Sequence, residues 1–316
     1  VFDGVPVGVK DEYQVKGYYS TYATTFRAGL EGIQYEDDIV VERLRKLGAI
    51  IFGKLNMQEI GIVASSVNPN FGNIFNPYGK DLHREAGPFP FFFFFFFFFG
   101  DLQMLKVLFS GSSSASGAAV AAGLLPVALG ADGGGSIRIP SSLNGVVGLS
   151  ATFGRVPHVD YGCWSHVHKG ALTTTLRDQM LTYYAISGAM DDNVVSQTSK
   201  SATNPPKHFH GFQNANALSD VTVGIWWDCL LFLLDHSTSK KKIKQHNNKH
   251  NNNNNIVVKQ CDDVVRTLKE HYNVKIKNYT IDHLKEIVKS HQYGILTEFA
   301  AGLITAYLNK YKCKYT

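Results

Sequence analysis

Apolar residues gather into short runs and one-sided stripes along the chain, and their order reads strand, helix, strand. GVPVGVK, from Gly4 to Lys10, is an apolar run opened by Gly4 and Pro6, which predicts a buried strand that delivers Lys10 at its end, ahead of Asp11 and Glu12. Between Asp37 and Leu47, Val40, Val41, Leu44 and Leu47 share one side while Glu42, Arg43, Arg45 and Lys46 lie largely on the other. That spacing predicts an amphipathic helix ended by Gly48, and AIIFGK, Ala49 to Lys54, follows as a buried strand. ASGAAVAAG, Ala115 to Gly123, predicts a helix of small side chains, and Leu125 to Leu129 a strand interrupted early by Pro126. A VVGL strand, a second amphipathic helix from Thr173 to Met190 and a polar loop from Asp191 to Asp220 come next. Val221 to Trp227 and Val274 to Tyr279 read as strands, Ile256 to His271 as a helix, and Ile281 to Lys310 as helical stretches.

Two tracts break this pattern. Pro88 to Ser110 carries nine consecutive phenylalanines, Phe91 to Phe99, with no periodicity in polarity, and is too short for a membrane helix of roughly 20 apolar residues. Without it HREAG would meet GSSSASG directly, so the tract is expected to be a low-complexity insertion or a translated intron. Ser239 to Asn255, rich in lysine and asparagine, reads as a solvated loop.

Composition narrows the class. With 316 residues, 44% of them hydrophobic, the chain can bury a large core. The net charge of +5, from 31 basic and 26 acidic residues, is a mild excess that argues against nucleic acid as a partner. Cys163, Cys229, Cys261 and Cys313 show no CxxC spacing and read as free thiols in a reducing compartment. Trp226 to Leu234 is apolar enough to meet a bilayer, but core packing is the safer account.

Candidate chemistry concentrates between Ser110 and Arg155, where serines at Ser112 to Ser114 and at Ser136 lie in glycine- and alanine-rich turns. Gly133, Gly134 and Gly135 lead into Ser136. Residues without a Cβ let backbone N–H groups line a hollow of the kind an oxyanion needs, which makes Ser136 a candidate nucleophile. Ser112 lies just before a helix, at its positive end; the alternative makes Ser112 or Ser113 an ordinary N-cap. Lys10, leaving a buried strand, would lose charge to desolvation and could act as a base, or it could pair with Asp11 or Glu12 at the surface. Asp132 and Arg138 bracket the nucleophile as an ion pair, with substrate-carboxylate binding the other use for Arg138. Met57 is a candidate substrate contact or plain core. His158, His166 and His168 are read as loop histidines and not as a metal site.

SGSSSAS, GGGSIRIP and GLSATFGR, together with GVPVGVKDEY upstream and LNMQEIG, resemble the signature segments of the amidase signature family; within it the wording is most similar to fatty acid amide hydrolase-like amidases. The family's usual lysine in its GLKxT segment is Ser150 here. The resemblance implies an α/β fold with a mixed central sheet covered by helices on both faces, here incomplete at both ends. It implies one domain over residues 1–316, with insertions at about 88–110 and 239–255. It also implies a Ser-cisSer-Lys triad of Lys10, Ser112 and Ser136, with a cis bond from Gly111 to Ser112. In that scheme the N–H groups of Gly133, Gly134, Gly135 and Ser136 form the oxyanion hole, and Ser113, Asp132 and Arg138 support it. The expected reaction is amide hydrolysis through an acyl-enzyme, on fatty acyl or other small-molecule amides, with no cofactor or metal. Membrane association and a homodimer stay open, and the expected location is cytoplasmic or peripheral to a membrane. The glutamine-hydrolysing component of a tRNA-dependent amidotransferase and an inactive amidase-like fragment are the alternatives.

Overall fold

A computed structural model describes residues 2–25, 32–61, 66–78, 111–158, 165–188, 218, 221–225, 256–283, 286–287, 289–291, 293–294, 297–298 and 300–302. The tracts at 88–110 and 239–255, and Cys163, Cys229 and Cys313, lie outside these residues. The described residues fall into two compact units, one holding those up to 188 and from 290 onward, the other those between 206 and 289.

The first unit is built on a five-stranded sheet. Its strands are β1 (Pro6–Lys10), β2 (Ile50–Leu55), β3 (Val127–Asp132), β4 (Val147–Gly148) and β5 (His168–Thr173), in the order β2-β1-β3-β5-β4. β1 runs parallel to both β2 and β3, whereas β5 runs antiparallel to β3 and β4, so the sheet is mixed. Four helices pack on it: α1 (Ile39–Lys46), α2 (Ser114–Ala121), α3 (Arg138–Asn144) and α4 (Leu176–Ile186).

Alternation along the strands assigns the helices to faces, because successive side chains of a strand point to opposite sides. Val7, Val9, Val127, Leu129, Ala131 and Ala171 join Val40, Val41 and Leu44 of α1 and Ile186 of α4 in one buried cluster. The intervening positions Gly8, Ala128, Gly130 and Gly170 turn to the other face, toward α2 and α3. Close approach explains the glycine at 130: a Cβ there would lie 2.8 Å from Ser113 Oγ and 2.7 Å from a methyl of Leu172. Both faces of the sheet are therefore covered, as the sequence leads one to expect. Lys10 and Asp132 are the last residues of β1 and β3, two adjacent parallel strands, and both lie on the α2/α3 side.

Three elements differ from the sequence expectation. The stretch after Ser136 forms α3, with Pro140 in its first turn, where a missing N–H costs nothing. His168 belongs to strand β5 and not to a loop, and the helix that follows begins only at Leu176, after Thr175 caps it by accepting from the Asp178 N–H. β5 escapes the apolar pattern because its Lys169 is buried against Asp38, 131 residues away.

The second unit holds a parallel pair, β6 (Thr222–Ile225) and β7 (Lys275–Asn278), with the helix α5 (Ile256–Tyr272) between them in sequence.

Candidate active site

Strand β1 carries Lys10 into the interior, where the residue is 1% exposed. Its Nζ donates to Ser112 Oγ at 2.7 Å and to the Ala131 carbonyl at 3.3 Å, and lies 3.1 Å from Glu12 Oε2. Burial pushes the Lys10 pKa down, against the opposing pull of Glu12 and then Asp132, and the net direction is downward. The lysine is thus no surface residue, although it does have the acidic neighbour that the surface alternative required.

Ser112 and Ser113 take separate tasks. Ser113 stands at the N-cap of α2, yet its side chain does not cap that helix; its Oγ donates to the Ala131 carbonyl and accepts from the Ala131 N–H, tying the helix start to β3. Ser112, one residue earlier, is buried and meets Lys10. Gly111 lets this turn lie against the second serine turn, since a Cβ on it would stand 2.8 Å from Ser136 Cα. The Ser113 N–H donates to the Ser136 carbonyl at 3.3 Å, which fixes the two turns side by side.

One expectation is corrected here. Among the described residues no peptide bond is cis, so the bond from Gly111 to Ser112 is trans. The trans turn already brings Ser112 to Lys10 and Ser113 to Ser136, and a cis bond at a non-proline residue would cost roughly 3–4 kcal/mol.

Around Ser136, Asp132 organises the glycine loop. Its carboxylate accepts from the N–H groups of Gly135 (2.6 Å), Ile137 (3.1 Å) and Arg138 (3.2 Å), and from Arg138 Nε and Nη2 at 3.0 and 2.9 Å. Burial raises the Asp132 pKa, but Arg138 and the backbone donors outweigh it and hold the carboxyl below its ordinary range. Arg138 therefore spends its fork on Asp132. The Gly135 N–H is spent there too, and among the described residues no hydrogen bond engages the N–H groups of Gly133, Gly134 or Ser136. Ser136 itself is partly exposed, and among the described residues no hydrogen bond joins its hydroxyl to that of Ser112.

Met57 is fully buried, and together with Gly61 it walls Ser112. A Cβ on Gly61 would come within 3.4 Å of Ser112 Oγ and 3.2 Å of Met57 Cε. The sequence offers no reason to single out Gly61 beyond its place at the close of LNMQEIG, one of the segments that carry the family resemblance. His166 meets Glu298 and lies 5.5 Å from the ring of His291, while His168 Nδ1 contacts the Ala151 carbonyl at 2.6 Å. Lys10, Ser112, Ser113, Asp132, Arg138 and Met57 thus converge around one pair of turns, with the Ser136 backbone held against the Ser112 turn. A buried amine on a hydroxyl, beside a partly exposed serine under free N–H groups, has the parts for acyl transfer.

Comparison with known proteins adds to this geometry. A family model described as Amidase matches residues 1–87 and 105–313, its break falling within the phenylalanine tract. The chain is 27% identical over 318 residues to a fatty acid amide hydrolase of Oryza sativa subsp. indica, covering all of this chain and 45% of that protein. It is 37% identical over 187 residues to the A subunit of the glutamyl-tRNA(Gln) amidotransferase of Geobacillus stearothermophilus, covering 58% of this chain and 33% of that protein. The native peptide amidase of Stenotrophomonas maltophilia shares its fold, with a TM-score of 0.70 at 22% identity over 99% of this chain and 55% of that one. The chain spans less than half the length of these curated relatives.

Proposed function

We propose, on the premise that this chain belongs to the amidase signature family, that it hydrolyses amides through an acyl-enzyme on Ser136, with Lys10 as base and Ser112 as proton relay. The observation that carries the reading is the 2.7 Å contact between the buried Lys10 Nζ and Ser112 Oγ. Burial favours the neutral amine, whose lone pair can take the Ser112 proton while Ser112 takes that of Ser136. Ser136 Oγ then attacks the amide carbon, and the oxyanion falls to the N–H groups of Gly133, Gly134 and Ser136, Gly135 serving instead to hold Asp132. Ser112 returns a proton to the leaving amine, and water frees the acyl group. The contact between the two hydroxyls closes when substrate fills the site, as catalytic hydrogen bonds commonly tighten on binding.

The reach of the similarity supports two substrate readings. Fatty acid amide hydrolases match along the whole chain, which supports an acyl amide of a small amine, with Met57 against the substrate. The stronger local identity to the glutamyl-tRNA(Gln) amidotransferases supports glutamine as the second reading. A fluorophosphonate probe, which reacts with activated serines, is expected to label Ser136 in the wild type and to leave Ser136→Ala unlabelled. Release of ammonia from a long-chain acyl amide but not from glutamine supports the first substrate, and the reverse supports the second. Absence of labelling at every pH overturns the hydrolase reading and leaves an inactive relative.

A further inference from the structure

Among the described residues Lys10 makes three polar contacts, with Ser112 Oγ, the Ala131 carbonyl and Glu12 Oε2. Three acceptors match the three N–H groups of an ammonium; a neutral amine has two N–H groups and a lone pair. The arrangement therefore satisfies the protonated lysine, and the contact that only this form needs is the one to a carboxylate. Glu12 is two residues beyond Lys10, its side chain 15% exposed, and its second oxygen, Oε1, is buried with no hydrogen-bond partner among the described residues. The neighbouring charges are otherwise engaged. Lys54 of β2 lies 3.3 Å from Asp11 Oδ1 and donates to the Tyr13 carbonyl and to Ser20 Oγ, Asp132 of β3 is held by Arg138 and three N–H groups, and Asp38 is paired with Lys169 beside the Tyr13 ring.

We propose that Glu12 is a positioning residue for the lysine base: its carboxylate holds Lys10 in the protonated state and so sets the pH above which the Lys10–Ser112 relay opens. The inference rests on the reading of Lys10 as the base. Opening is loss of one N–H proton from Lys10 to solvent, after which the amine turns its lone pair to the Ser112 hydroxyl. Burial and Glu12 act in opposite senses on that proton, with Asp132 adding to Glu12. Activity then rises with pH through the Lys10 transition, and removing the Glu12 charge moves the rise to lower pH.

The test follows the rate of fluorophosphonate labelling of Ser136 against pH. In Glu12→Gln the acid limb is expected to shift down by about one pH unit or more, so that labelling at a fixed pH on the wild-type limb is about tenfold faster or more. Glu12→Asp is expected to restore most of the wild-type position. An unmoved or upward-shifted limb in Glu12→Gln, with wild-type labelling intact, overturns the role of Glu12 and leaves the hydrolase reading standing. Glu12→Ala, which removes the charge and the hydrogen bond together, carries the same test should Glu12→Gln fail to fold: its acid limb is expected to shift down likewise, and an unmoved limb in it overturns the proposal.

Discussion

Lys10 shows how one side chain gains its chemistry from where its strand ends. At 1% exposure the ammonium form has lost its water, and among the described residues it keeps the partners that Ser112, the Ala131 carbonyl of β3 and Glu12 supply. Lys10→Ala is expected to slow amide hydrolysis at neutral pH by about a hundred- to ten-thousand-fold, the range of a general base, measured as kcat/KM; full activity would end the serine-lysine reading. In the wild type, activity should fall as pH drops through the depressed lysine pKa, because protonation removes the lone pair. Asp132 titrates with the opposite consequence. Its folded pKa is depressed, so its stabilising effect is present above the ordinary carboxylate range and is lost as pH falls through the folded value. Thermal denaturation should show Asp132→Asn below the wild type near neutral pH, with the gap closing in acid. Lys10, Ser112 and Ser136 could be picked out as candidates from the sequence. The task of Ser113 was not, because a serine ahead of a helix looks like a cap until its hydroxyl is seen on β3.

At the scale of elements, the strands and helices with clean apolar periodicity were legible to within a few residues. β1, β2, α1, α5 and β7 all fall close to their predicted limits. β5 was not, since a lysine inside a strand breaks the pattern unless its partner is known. Lys169 and Asp38 are both buried, and Asp38 also accepts from the Val40 N–H at the start of α1. Lys169→Met is expected to destabilise the protein by about 3–5 kcal/mol, because the aspartate is left as an uncompensated buried charge. Adding Asp38→Asn should recover much of that loss, as asparagine also caps helices well; denaturant midpoints of the two variants measure it. α3 was not foreseen, because its seven residues are too few to show a helical period and include Pro140, which is compatible with a helix only in the first turn.

For the molecule as a whole, the break in the family match at 88–104 makes a separate prediction. A variant lacking those residues is expected to keep its fold and its labelling at Ser136, measured by circular dichroism and by the probe; loss of both would make the segment part of the structure. The sequence by itself determined the local chemistry: which residues carry hydroxyl, amine or carboxylate, where glycines allow turns, and the α/β alternation. Such information resides in side-chain identity and short-range periodicity. Only the tertiary structure decided which groups meet. It brought Lys10 to Ser112 across 102 residues, placed Glu12 on the same amine, took the Gly135 N–H for Asp132 and left the Gly111–Ser112 bond trans. The reason is that charge state and contact depend on burial and on strand order, and a lysine at the end of a strand does not reveal what the neighbouring strand sets beside it.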